Sequence, residues 1–181
     1  NSSEWNFKLT DDHLLFGMGA IKNVGENAMI EIIKQRENSD TKNGGRFKGL
    51  LDFCQRVDLR TANKKALEAL IKVGAFDECE SKNRKTLIAN LELAMGYGAK
   101  IAQERNLGQG GLFDLMGEDE SQQFNDIPWQ IQEEYDFREM LLQEFQLIGV
   151  YISGHPLDKY REDAMTLASH TIAQIQAFTQ N

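Results

Sequence analysis

Apolar and polar positions divide the chain into short periodic segments joined by turn chemistry. Residues 5–9, Trp-Asn-Phe-Lys-Leu, alternate and then meet Thr10-Asp11-Asp12-His13 and Leu14-Leu15-Phe16, the pattern of a short β-hairpin. Gly17 to Lys22 reads as a brief helical segment that stops at Asn23-Val24-Gly25. From Glu26 to Arg36, Ala28, Met29, Ile32 and Ile33 recur at helical spacing, and residues 37–46 form a polar loop. A second helix-turn-helix follows. Leu50, Leu51, Phe53, Cys54 and Val57 line its first helix, and Asp58 to Ala62 connect. Asn63 is placed to cap the second helix, with Ala66, Leu67, Leu70 and Ile71 inward and Gly74 as its stop. Asn83 is placed to cap a long helix running to about Arg105, with Leu87, Ile88, Leu91, Ala94 and Met95 inward. Residues 106–128 lose the period, carry Gly108, Gly110 and Gly111, and read as a mobile segment. Residues 131–148 read as helix again, with Tyr135, Met140, Leu141, Phe145 and Leu147 as candidate core and Glu133-Glu134 in its first turn. Gly149 to Ile152 read as extended, and a last helix starts near Leu157-Asp158. The pattern predicts a mainly α fold with a small β-hairpin at its start.

Composition bounds this picture. A chain of 181 residues makes one generous domain or two small ones, and a 41% hydrophobic share is enough for a core with much polar surface. No apolar run approaches the roughly 20 residues that cross a bilayer, and no basic segment precedes an apolar one at the start. The chain opens on Asn1 rather than Met and reads as an excised fragment. Cys54 and Cys79 stand far apart without ligand spacing, so buried free thiols in a cytoplasmic protein are expected, not a disulfide or zinc site. The net charge of −8 argues against nucleic acid until its distribution is seen. Residues 1–110 hold 17 Lys+Arg against 15 Asp+Glu, residues 111–181 hold 3 against 13, and residues 41–72 hold 8 against 3. A local basic stretch collects phosphate on an acidic chain, because screening at physiological salt acts over only about 8 Å. A solvated helix face would give the same pattern.

Ile21-Lys22-Asn23-Val24-Gly25-Glu26-Asn27-Ala28 resembles the helix-hairpin-helix motif, a hydrophobic-Gly-hydrophobic-Gly turn with an Ala three residues on. Such a hairpin leaves amides at the start of its second helix without internal acceptors, and those amides with the helix dipole suit a phosphate. Asn23 stands where the motif has its first Gly, and Asn tolerates a left-handed conformation. These motifs come in pairs, and residues 50–74 look like a degenerate second unit with no Gly in its turn. The expected DNA contacts are Lys22, Asn23, Val24, Gly25 and Glu26 in the first hairpin and Arg60, Lys64 and Lys65 in the second, all made without sequence preference. Hairpins that only pack are the alternative.

Longer strings widen the resemblance. Phe16 to Glu26, Phe47-Lys48-Gly49-Leu50-Leu51-Asp52-Phe53-Cys54, Asn63 to Asp77, and Leu147-Ile148-Gly149-Val150-Tyr151-Ile152-Ser153-Gly154-His155-Pro156-Leu157 are similar to the alpha subunit of bacterial DNA polymerase III. The resemblance covers nearly the whole chain. It implies a tandem helix-hairpin-helix region over residues 1–106, a flexible clamp-binding loop over 107–128, and a helical segment over 129–181 leading toward an OB-fold. It also implies that Gln109-Gly110-Gly111-Leu112-Phe113 is a sliding-clamp peptide, with Leu112 and Phe113 as anchors for an apolar pocket. The implied partners are double-stranded DNA, the beta-subunit clamp and, through other regions, further replicase subunits, with no membrane. In the family the catalytic aspartates lie upstream, so the expected chain is a non-catalytic part of a DNA-directed DNA polymerase. No cofactor is expected here, and Mg²⁺ is expected at the parent's active site. His155, with no Asp, Ser or Cys partner near it in sequence, reads as structural. A helix-hairpin-helix module from a repair ligase or nuclease is a second alternative, but leaves residues 147–157 unexplained.

Overall fold

The computed structural model describes residues 3–10, 14–38, 45–106, 127–172 and 174–175. Strands β1 (Lys8–Leu9) and β2 (Leu14–Leu15) pair antiparallel, Lys8 opposite Leu15. A 3-10 turn at Met18–Ala20 leads to α1 (Glu26–Glu37). Then come α2 (Leu50–Arg56), α3 (Lys64–Lys72), α4 (Arg84–Ala89), α5 (Leu91–Asn106), α6 (Phe137–Ile148) and α7 (Arg161–Leu167). The chain is mainly helical, as its periodicity predicts. Among the described residues no helix is long and apolar enough to cross a membrane.

One core joins the hairpins to the long helix. Ile21, Val24, Ala28, Met29 and Ile32 from the first hairpin meet Leu50, Phe53 and Val57, then Ala66, Leu67, Leu70 and Ile71, and finally Leu87, Leu91 and Ala94. Phe53 sits between Phe47 and Phe76, with ring centroids 4.9 and 5.4 Å away. Helix α3 has well-formed ends. The Asn63 side chain accepts from the Ala66 amide, and Gly74 adopts a left-handed φ of +78°. The Ala75 amide then returns to the Leu70 carbonyl and the Gly74 amide to Ile71, which satisfies carbonyls the helix leaves open. The densest helix contact is α2 on α5, and Gly98 makes it possible. A Cβ there would stand 2.3 Å from the Cys54 carbonyl oxygen. Cys54 is buried and its thiol is pushed up to about 12, while Cys79 is only partly buried; neither forms a disulfide.

Phe145, expected in the core, is exposed, Gly149 is left-handed rather than extended, and two helix boundaries also need correction. Asn83 does cap a helix, but that helix turns at Asn90 before continuing as α5. The predicted helix over 131–148 starts only at Phe137, on the Asp136 cap, and residues 127–136 are an extended strap. Buried side chains of α4 account for the strap. Asn90 Oδ1 accepts from the Gln130 amide at 2.8 Å and its Nδ2 donates to the Gln130 carbonyl at 3.0 Å. Thr86 Oγ1 does the same for Gln132, at 2.9 and 3.2 Å. Four helical residues rise about 6 Å and two extended residues about 6.8 Å, so the two periods match. Glu134 is therefore not in a helix's first turn. Its carboxylate accepts the amides of Arg84 and Lys85 at the start of α4. Ile127, at the head of the strap, is buried in the core.

Candidate nucleic-acid interface

The first hairpin turns on Asn23, whose φ of +71° is the left-handed value expected of a residue replacing Gly. Ile21 and Val24 are buried beneath the turn, and the Val24 amide is already bonded to the Ile21 carbonyl at 3.2 Å. Val24 therefore anchors the tip and offers no free donor. The next amides do. Gly25 caps α1 without a side-chain hydrogen bond, and the first backbone bond of the helix comes only at Met29, which donates to Gly25. The exposed amides of Gly25, Glu26 and Asn27 have no acceptor among the described residues. A Cβ on Gly25 would meet nothing within 4 Å. Helix α1 is 12 residues long, so its dipole is developed where these donors point to solvent.

The expected cations are placed differently from one another. Lys22 Nζ donates to the Gln146 carbonyl at 2.9 Å and its amide to Leu147 at 2.9 Å, so it closes the C-terminal end of α6. Arg60 is folded onto Asp58, at 3.1 Å from Nε to Oδ1, and that contact holds the Asp58 carboxyl below its usual range. Lys64 lies 2.6 Å from Glu92 and 3.9 Å from Glu68, and the Glu92 contact raises its pKa. Lys65 is exposed and has no partner among the described residues. Gln109, Gly110, Gly111, Leu112 and Phe113 lie outside the described residues.

A buried polar knot escaped the sequence reading. Arg84 and Glu144 pair at 2.9 Å with both side chains almost wholly inaccessible. Arg84 also holds Asp77 at 2.7 Å, the Lys72 carbonyl at 3.1 Å and Ser153 Oγ at 3.0 Å. Glu144 accepts the amides of Ile152 and Ser153 and the Ser153 hydroxyl. Burial pushes its pKa up, but the Ser153 hydroxyl and amide, the Ile152 amide and Arg84 outweigh that, and the net shift is downward. One signal was available: Glu144 falls on the apolar stripe of α6, three residues after Leu141 and four before Ile148. His155 accepts the Leu157 amide on Nδ1 and packs edge-on against Tyr151, a turn-forming role. No group of three or more His, Cys, Asp or Glu among the described residues could hold a metal ion.

The family model of the helix-hairpin-helix motif matches residues 1–87. The chain is 38% identical over 178 residues to DNA polymerase III subunit alpha of Neisseria meningitidis, covering 97% of this chain and 14% of that protein. It is 39% identical over 164 residues to the subunit of Borreliella burgdorferi, covering 90% of this chain and 14% of that protein. For Thermus aquaticus the figures are 36% over 180 residues, 99% and 13%. The chain thus spans about 14% of the length of the relatives it matches. The open hairpin, its motif and these near-complete alignments place the chain in the family of the bacterial DNA polymerase III alpha subunit.

Proposed function

We propose that this chain is a DNA-gripping, non-catalytic segment of a replicative DNA polymerase. It binds the backbone of duplex DNA without reading sequence and supports processive replication in the cytoplasm. The amides of Gly25, Glu26 and Asn27 carry the reading, because they are exposed, unpaired among the described residues, and open to a phosphate over a cap with no side chain. Asn23 shapes that tip and Val24 holds it down, while Lys65 adds a free positive charge from the second hairpin. In this reading nucleotidyl transfer and its Mg²⁺ belong to other parts of the polypeptide. Gln109, Gly110, Gly111, Leu112 and Phe113 dock on the beta-subunit clamp. Each contact then raises the effective concentration of the other.

Fluorescence anisotropy against duplex DNA over a salt series tests the grip. Gly25→Ser keeps a good helix cap but places a side chain over the amides. Its melting temperature should match wild type while duplex affinity falls about tenfold, the scale of one or two lost charge-assisted bonds. Equal affinity would remove the hairpin from the interface. The clamp half is tested by titrating purified clamp. Leu112→Ala with Phe113→Ala should abolish the affinity, and an unaltered value rejects the peptide. Hairpins that only pack draw support from the pairing of Lys22, Arg60 and Lys64 inside the protein. That competing reading predicts no salt-dependent DNA binding at all.

A further inference from the structure

We infer that Lys22 is a positioning residue: it holds the tip of the first hairpin on the C-terminal end of α6 and makes no phosphate contact of its own. The inference rests on the DNA-gripping reading of that hairpin. Three observations lead to it. First, Lys22 uses two donors on adjacent carbonyls, Nζ on Gln146 and the amide on Leu147. These are among the last carbonyls of α6, which the helix cannot satisfy itself and where the dipole favours a cation. The next residue is Asn23, the left-handed turn, so the tie sits at the base of the tip.

Second, the α6 end that receives Lys22 is itself fixed to the other hairpin. Glu144, two residues before Gln146, is locked onto Arg84, and Arg84 reaches the Lys72 carbonyl at the end of α3. One short stretch, Glu144 to Leu147, therefore touches both helix pairs. Third, α1 is held at its far half by other contacts. Glu31 accepts the Asp58 amide, and the Gln35 carbonyl accepts from Arg56 Nη2. Those contacts fix the α1 body, while Lys22 fixes the tip where the open amides stand. Together they set where Gly25 to Asn27 lie relative to Lys65, and so which phosphates both can reach.

The test uses the 181-residue chain, a labelled duplex of arbitrary sequence, and Lys22→Met, Lys22→Arg and Lys65→Met. Lys22→Met should weaken binding by about fivefold, near the top of the range for an exposed charged contact. Its log–log salt slope should stay at the wild-type value, because no phosphate partner is lost. Lys65→Met should lower the slope by about 0.9, the signature of one lost phosphate contact. Lys22→Arg, which keeps a charged donor for the carbonyl, should restore most of the affinity. A slope for Lys22→Met that falls like that of Lys65→Met overturns the inference, and so does an unchanged affinity. Wild type without salt-dependent binding sinks the DNA reading instead. Hydrogen exchange without DNA then judges the tie by itself. Lys22→Met should speed exchange of peptides covering both 21–29 and 145–153, and unaltered exchange rejects the tie.

Discussion

At the first hairpin the second helix begins on Gly25, with no side chain on its cap and three exposed amides without acceptors among the described residues. At the second it begins on Asn63, whose side chain already takes the Ala66 amide, and the turn before it is closed by Thr61 and Ala62 donating to the Asp58 carbonyl. The charges differ in the same sense. Arg60 and Lys64 beside the second turn are neutralised by Asp58, Glu92 and Glu68. One sequence pattern used twice has thus given two helix starts that differ in one capped amide and in the pairing of the nearby charges, for the exposed amides of Asn63, Lys64 and Lys65 also have no acceptor among the described residues. Likeness of motif is therefore a weak guide to which copy meets a ligand; the cap side chain and the acids beside the turn distinguish the two.

The knot behind the second hairpin is where a single substitution should do most damage. Glu144→Gln leaves Arg84 buried with Asp77 as its only acidic partner among the described residues. Removing one member of a buried pair should destabilise the chain by about 3 kcal/mol. A urea midpoint at pH 7 reads this directly, and a loss below about 1 kcal/mol would mean that Asp77 suffices. The pH dependence has a definite sign. Glu144 is held below its ordinary 4.5, so the stability it contributes is complete above about pH 4.5 and fades as pH falls through the lowered folded value. The gap between wild type and Glu144→Gln should close in the same acid window.

Gly98→Ala attacks the support of the second hairpin from α5. Two effects compete. Alanine improves helix propensity by about 1 kcal/mol, but its Cβ would lie 2.3 Å from the Cys54 carbonyl oxygen, and backbone cannot yield as a flexible side chain can. Overpacking of this kind costs about 1–3 kcal/mol, so a net loss of about 1–2 kcal/mol is expected in thermal melts. A stabilised variant would show that α2 and α5 can slide apart freely.

Asn63→Ala should have a smaller effect, about 1 kcal/mol, because a lost N-cap leaves the Ala66 amide without its acceptor. It also makes the second hairpin resemble the first. Should duplex affinity rise in this variant, the open amide is the limiting feature of the second unit. Should it stay level, the paired charges around the turn decide.

The same distinction explains what could be read without coordinates. Asn63 and Asn83 as caps, Gly74 as a stop and Asn23 as a left-handed turn are local features, fixed by residues within a few positions. The apolar stripes of α1, α3 and α5 follow from one core and a regular period. What escaped depends on distant partners. The strap at 127–136 carries spacing that mimics a helix, but Asn90 and Thr86, some 40 residues earlier, hold its backbone extended. Local sequence places Lys22 beside the hairpin tip but does not show its acceptor, which lies 124 residues away. Local sequence shows Glu144 on the apolar stripe of α6 but not its partner Arg84, 60 residues distant. Tertiary hydrogen bonding overrode local preference in each case.

The smallest expected effect separates two adjacent lysines of the second hairpin. Lys64→Gln and Lys65→Gln change the net charge equally, so a field set by total charge alone would weaken duplex binding equally in both. The surroundings differ. Losing Lys64 leaves Glu92, which stood 2.6 Å from it, as an unmatched anion near the turn, whereas losing Lys65 removes a charge that had no partner among the described residues. Lys65→Gln should therefore lower the salt slope by about 0.9, and Lys64→Gln should weaken binding with the slope intact. The double variant Lys64→Gln with Glu92→Gln removes both ends of the pair, and it should return to wild-type affinity if the pair is inert toward DNA. No rescue, together with a reduced slope for Lys64→Gln, would mean that Lys64 leaves Glu92 for a phosphate on binding. The second hairpin would then be a DNA contact in its own right, and the asymmetry between the hairpins would belong only to the free protein.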